Sequence, residues 1–220
     1  MNGAPAALAV AEAELARRDP VLAGLINRCG PCTLASPRDP AQADFEALAS
    51  SIVYQQLAGR AAAAIWLRVR ALVPGDFTAE AVITLEPAAL RAAGLSGAKA
   101  ASVADLSARV ADRSLDLDRV ARLSDEEVVA ELSQVRGIGR WTAQMFLIFQ
   151  LRRLDVWPTG DLGVRRGWAR AYGLEEVPLT ADLEALGLPF RPWRSVLAWY
   201  CWRAADTVVP APVAYLPTGR

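Results

Sequence analysis

The 220-residue chain contains no histidine, and that absence removes whole classes of chemistry: Ser-His-Asp triads, Cys-His nucleophiles and histidine-ligated zinc. Any catalysis must run on carboxylate, hydroxyl, thiol or backbone groups. Cysteine is scarce as well. Cys29, Cys32 and Cys201 are too few for a four-cysteine zinc or iron–sulfur site. Lysine is nearly missing, since arginine outnumbers it 23 to 1 and Lys99 is the only one. No apolar run reaches the ~18 residues of a membrane span. Met1 is not followed by the basic, apolar and small segments of a signal peptide, so the expectation is a cytoplasmic protein that does not engage a membrane. A basic excess is lacking too: the net charge is zero and the pI about 6.4, whereas a nucleic-acid binder usually carries positive charge.

The charge that is present is unevenly spread. Seven arginines (136, 140, 152, 153, 165, 166 and 170) lie between Arg136 and Arg170 against Asp155 and Asp161, and Asp125, Glu126, Glu127 and Glu131 come just before them. A local basic face on a neutral protein suits an enzyme that must release a polyanion after turnover, because each phosphate contact adds a salt-dependent increment of affinity. Two or three of these arginines are expected on phosphate and the rest in solvent.

The pattern is helical throughout. Helices are expected over about 5–18, 20–28, 42–57, 59–72, 86–93, 97–112, 125–135, 140–152, 161–172, 180–186 and 192–206, punctuated at Pro74-Gly75, Gly94, Gly137, Pro158, Gly173 and Pro189. No long alternating strand pattern interrupts them. Ser124 and Glu127 form a capping box, and Val128, Val129 and Leu132 follow at helical spacing. Gly137 and Gly139 then stop that helix. They allow positive φ and close approach of a ligand, while Ile138 between them plugs into the core. A second helix starts near Arg140 with Trp141, Met145, Ile148 and Phe149 as its apolar stripe, and its first N–H groups make an anion site. A dinucleotide loop would need a preceding strand and a third glycine where Thr142 stands. A plain helix turn is the other alternative.

Cys29-Gly30-Pro31-Cys32 has the spacing of a thiol-disulfide centre. Such a site wants a strand before it and a helix after it. Here a helical run precedes, and Pro37 and Pro40 follow, so a helix-terminating turn is the expected role.

The spacing from Gly137-Ile138-Gly139 to Asp161 resembles the helix-hairpin-helix glycosylases of base-excision repair. Within them, G-I-G-R-W-T-A at 137–143 and P-W-R-S at 192–195 are most similar to the 3-methyladenine DNA glycosylase II branch. S-I-V-Y-Q-Q-L at 51–57 and G-L-S-G-A-K-A at 94–100 resemble two more of its elements, so the likeness runs from about 44 to 205. The resemblance implies an all-α fold with two helical lobes, 45–153 as one and 1–44 with 154–220 as the other, and an active-site cleft between them. It also implies a compact form without the β-rich N-terminal domain of longer members, and the cysteine count excludes the iron–sulfur cluster of the endonuclease III branch.

What the resemblance implies for function is specific. Asp161 is the catalytic carboxylate; a carboxylate near the anomeric carbon stabilises an oxocarbenium-like sugar or orients water. N-capping of the next helix is its alternative role, and the two are compatible. Gln56 is the wedge that fills the gap left by a flipped base, with an ordinary surface glutamine as the alternative. Trp141, Trp193, Tyr54 and Met145 line the base pocket, where aromatic faces hold a cationic alkylated purine; Met145 replaces an aromatic of some relatives. Trp157 and Phe190 lie near the same elements, and Trp66, Trp168 and Trp202 are expected in the core. Gly137, Ile138, Gly139, Arg140 and Thr142 form the phosphate-binding hairpin, and the carbonyls of Ser133, Val135 and Ile138 hold a structural Na+ or K+ once DNA is bound; no other cofactor is expected. Bifunctional members place a Schiff-base lysine where Trp141 stands, so the expectation is a monomeric, monofunctional enzyme acting on alkylated bases in double-stranded DNA. A non-catalytic hairpin module and a thiol-disulfide protein remain the alternatives.

Overall fold

A computed structural model of the chain describes residues 3–34, 44–57 and 59–205. Among these it is all-α, without a strand. The helices are α1 (Gly3–Arg18), α2 (Pro20–Cys29), α3 (Asp44–Tyr54), α4 (Gly59–Ala71), α5 (Ala79–Ile83), α6 (Pro87–Ala92), α7 (Gly97–Ala111), α8 (Leu117–Val120), α9 (Asp125–Leu132), α10 (Arg140–Phe149), α11 (Leu162–Tyr172), α12 (Thr180–Gly187) and α13 (Arg194–Ala204). The expected helix starts and domain segments at 42–43, 35–43 and 206–220 lie outside the described residues.

Short polar residues set the starts. The Asp19 carboxylate accepts the Val21 and Leu22 N–H groups at 2.8 and 3.1 Å ahead of α2, where Pro20 gives up no useful donor. Ser96 caps α7 through the Lys99 N–H at 3.3 Å, and Glu127 reaches back to the Ser124 N–H at 2.9 Å. The stops differ from expectation in three places. Helix α3 ends at Tyr54, before residue 57, because Gln56 turns left-handed with φ 56°. Helix α9 ends at Leu132; the chain to Ile138 winds through tighter three-residue turns, Val135 N–H to Leu132 carbonyl at 3.1 Å and Ile138 N–H to Val135 carbonyl at 3.0 Å. Helix α10 ends at Phe149, and Arg152, with φ 58°, lets the Arg153 N–H return to the Leu147 carbonyl at 3.0 Å. Helices α5 and α8, five and four residues long, carry too few positions to show a period.

The described residues group into two compact units, 3–34 with 147–205, and 44–57 with 59–146. The sequence expectation carried the second of these to 153; the grouping changes after Phe146, inside α10. The first unit packs α11 against α13 so closely that a Cβ on Gly167 would sit 1.7 Å from the Cys201 carbonyl oxygen. Leu15, Leu22, Leu183, Tyr200 and Trp202 are among its fully buried side chains. In the other unit Leu48, Ile52, Leu106 and Leu132 are fully buried, and Phe77 stacks on Phe45 and meets Trp66 edge-on.

Candidate active site

Asp161 begins α11. Its Oδ1 accepts the Val164 N–H at 2.8 Å and the Trp202 indole N–H at 2.9 Å, so the cap and a second donor share one carboxylate oxygen. The residue is 9% exposed, and a carboxylate there also meets the positive end of the helix dipole. Trp202 comes from the last turn of α13, has no exposed surface, and stacks on Phe149 at 5.8 Å. The core position expected for Trp202 is therefore occupied, with a polar role that spacing did not reveal. Trp193 lies at the other end of α13, as its N-cap, about 13.5 Å along the axis from Trp202 at 1.5 Å per residue. Among the described contacts, α13 meets Asp161 through Trp202.

The segment leading to Asp161 is irregular yet pinned at several points. Arg194 is buried and gives two hydrogen bonds to the Asp155 carboxylate, at 2.7 and 2.9 Å, and one to its carbonyl at 3.0 Å. The Ser195 hydroxyl accepts the Val156 N–H at 2.9 Å and donates to the Arg153 carbonyl at 2.7 Å. The Trp157 indole donates to the Leu183 carbonyl at 2.9 Å. The P-W-R-S motif thus acts through Arg194 and Ser195 as a clip on residues 153–156. Buried backbone without such partners would cost ~1–3 kcal/mol per group.

The hairpin lies in the other unit, between helices α9 and α10, so the strand that a dinucleotide loop requires is missing from its place. Gly137 has φ 77°, and a Cβ there would stand 2.4 Å from the Ser102 hydroxyl. Gly139 has open space around the equivalent point. Ile138 is buried, as its plug role requires. The first backbone bond of α10 runs from the Ala143 N–H to the Gly139 carbonyl at 3.0 Å. Arg140 makes a two-pronged ion pair with Glu126 at 3.0 and 2.7 Å, both side chains largely exposed. Such a pair contributes ~0–1 kcal/mol and yields readily to a phosphate. Thr142 is buried, and its hydroxyl accepts the Gln55 side-chain N–H at 3.2 Å, so its side chain faces protein.

The remaining expected residues occupy the same unit as the hairpin. Trp141 on α10 is 41% exposed, while Met145, one turn later, is buried. Tyr54 ends α3 half-buried, and burial raises its phenol pKa. Gln56 is exposed on the loop after α3, beside Leu57, which is 39% exposed. Lys99 is turned inward: its ammonium donates to the Val53 carbonyl at 2.7 Å and the Gln55 carbonyl at 2.6 Å, and burial lowers its pKa.

The C-G-P-C segment is a turn. It follows α2, and Gly30 takes φ 73°. The Glu12 carboxylate receives both the Cys32 N–H and the Tyr200 hydroxyl. Burial pushes the Cys32 thiol up to about 12, opposite to the low pKa that a reactive thiolate needs.

Comparison with known proteins agrees with these features. Residues 49–190 match the model of the HhH-GPD superfamily base excision DNA repair proteins. The chain belongs to that family. It is 34% identical over 164 residues to DNA-3-methyladenine glycosylase 1 of Schizosaccharomyces pombe, covering 73% of this chain and 72% of that one. Among solved structures, that of the S. pombe 3-methyladenine DNA glycosylase in complex with abasic DNA superposes with a TM-score of 0.79 at 30% identity, over 89% of this chain and 96% of the other. A DNA-3-methyladenine glycosidase from Bacillus halodurans gives 0.78 at 35%, over 89% of each. The all-α architecture and the helix-hairpin-helix element are those of the family.

Proposed function

We propose that the protein is a monofunctional DNA glycosylase that flips alkylated bases of the 3-methyladenine and 7-methylguanine type out of duplex DNA and hydrolyses their N-glycosidic bond. The observation that carries this reading is Asp161, a nearly buried carboxylate held by the Trp202 and Val164 N–H donors in a family of base-excision proteins. The names of the relatives support the substrate class.

An alkylated purine carries a formal positive charge, so it leaves without a general acid. As the bond from C1′ to the ring nitrogen breaks, its electron pair neutralises the base and leaves an oxocarbenium-like sugar. The Asp161 carboxylate stabilises that charge. Water adds to C1′ and passes its proton to the carboxylate and then to solvent. Trp141 gives the cationic base an aromatic face, a contact of ~0.5–2 kcal/mol, with Tyr54 and Met145 as further pocket residues. Gln56 fills the vacated stack. Gly139 and the start of α10 receive a DNA phosphate. The oxygen-only, uncharged set of Ser133, Val135 and Ile138 carbonyls fits a monovalent cation, because the Val135 carbonyl that accepts Ile138 keeps a second lone pair. These residues would hold Na+ or K+ and add positive charge beside the phosphate. The protein acts as a monomer. With Lys99 committed to two carbonyls, no amine attacks the sugar, and an intact abasic strand is the product.

Asp161→Asn should lower single-turnover excision by about 10²–10³-fold, the scale of removing one preorganised electrostatic group, while lesion-DNA affinity stays within several-fold. Near-normal excision by this variant would remove Asp161 from the chemistry and favour a non-catalytic hairpin module.

A further inference from the structure

Lysine is used once in this chain, and where it is used is informative. Lys99 donates to the carbonyls of Val53 and Gln55, on either side of the C-terminus of α3. These are carbonyls that a helix end leaves unsatisfied. Immediately beyond them Gln56 holds φ 56°, a conformation that costs a non-glycine residue free energy and persists only where its surroundings impose it. The Gln55 side chain points the other way along the same unit, donating to the Gly137 carbonyl at 2.9 Å and to the Thr142 hydroxyl at 3.2 Å. One residue thus carries both the loop's anchor and a direct bond to the hairpin.

Helix α7 supplies a second tie. Three and six residues after Lys99, Ser102 abuts Gly137 and Asp105 accepts the Arg136 N–H at 2.8 Å. Residues three apart are neighbours on a helix surface. The same helix therefore grips the Gln56 loop at its start and the hairpin one and two turns later.

We infer that Lys99 and Gln55 are positioning residues that fix the Gln56 loop in register with the phosphate-binding hairpin, so that gripping the DNA backbone also aims the wedge at the base stack. The inference rests on the reading of Gln56 as wedge. Neither residue touches the base or the sugar. Their effect falls on the step in which a paired base leaves the stack, and little on a lesion that is already unpaired.

The test compares single-turnover excision of one alkylpurine in a fully paired duplex and in a bulge, using the full chain and its Gln56→Ala, Lys99→Met, Lys99→Arg, Gln55→Leu and Gln56→Ala/Lys99→Met variants. Each variant is its own control, because a general loss of folded protein lowers both rates equally. Gln56→Ala should slow excision from the duplex and spare the bulge. Lys99→Met should do the same by about 10- to 100-fold, the scale of losing charge-assisted hydrogen bonds, with Lys99→Arg recovering most of it and the double variant no worse than the more impaired single one. Gln55→Leu should follow Lys99→Met. If Gln56→Ala changes neither substrate, the wedge reading fails and the inference with it. If Gln56→Ala behaves as expected but Lys99→Met slows both substrates alike, or adds fully to Gln56→Ala, the lysine is structural only and the inference is overturned.

Discussion

Asp161 places two demands on one oxygen, since Oδ1 both caps α11 and takes the Trp202 N–H. The second demand separates a carboxylate that merely starts a helix from one whose orientation is fixed. Trp202→Phe keeps most of the buried ring while deleting the donor, and a hydrogen bond to a charged group contributes ~1.5–3 kcal/mol. This variant should unfold earlier by an amount in that range in urea titration and excise about tenfold more slowly; unchanged excision would show that the cap alone orients Asp161. Asp161 was legible through its spacing from Gly137-Ile138-Gly139, which resembles that of the family, with N-capping as its alternative role. Trp202 was legible only as core, because sequence period says which face is buried and nothing of which atom the indole N–H reaches. The same limit applies to Thr142, whose place in the hairpin was legible while its side-chain partner Gln55 was not.

At the scale of elements, the hairpin's two glycines are not equivalent. A Cβ on Gly137 meets the Ser102 hydroxyl and requires a strained φ, whereas one on Gly139 meets nothing. Gly137→Ala should therefore lose ~1–3 kcal/mol of stability as well as DNA affinity. Gly139→Ala should melt like the wild type and bind every duplex more weakly, lesion or none, because phosphate contacts carry no sequence information. Fluorescence anisotropy against lesion-bearing and plain duplexes separates the two, and a loss confined to one lesion would contradict a backbone role. The α9–α10 pair was readable from the capping box and the Gly-Ile-Gly stop. The early end of α3 was not, since nothing local to Tyr54-Gln55-Gln56 forbids helix. A lysine more than forty residues away caps it.

Across the whole molecule, the chain keeps a net charge of zero, with seven of its arginines between Arg136 and Arg170. Cys32 and Cys201 are buried. A thiol at about 12 is roughly one part in 10⁴ thiolate at pH 8, and burial raises Cys201 as well. Iodoacetamide at that pH should leave Cys32 and Cys201 unmodified until the protein is unfolded. Changing Cys29 and Cys32 to serine should leave excision intact, whereas a thiol-disulfide protein would lose its activity.

The reaction itself is tested most directly by incubating the purified protein with a duplex bearing a single 7-methylguanine, then assaying free base by chromatography and strand integrity before and after alkali, with borohydride present in a parallel sample. The account predicts release of the free base, strands that break only after alkali, and no trapped protein–DNA adduct. No base release, or a trapped adduct that disappears in Lys99→Ala, would contradict it.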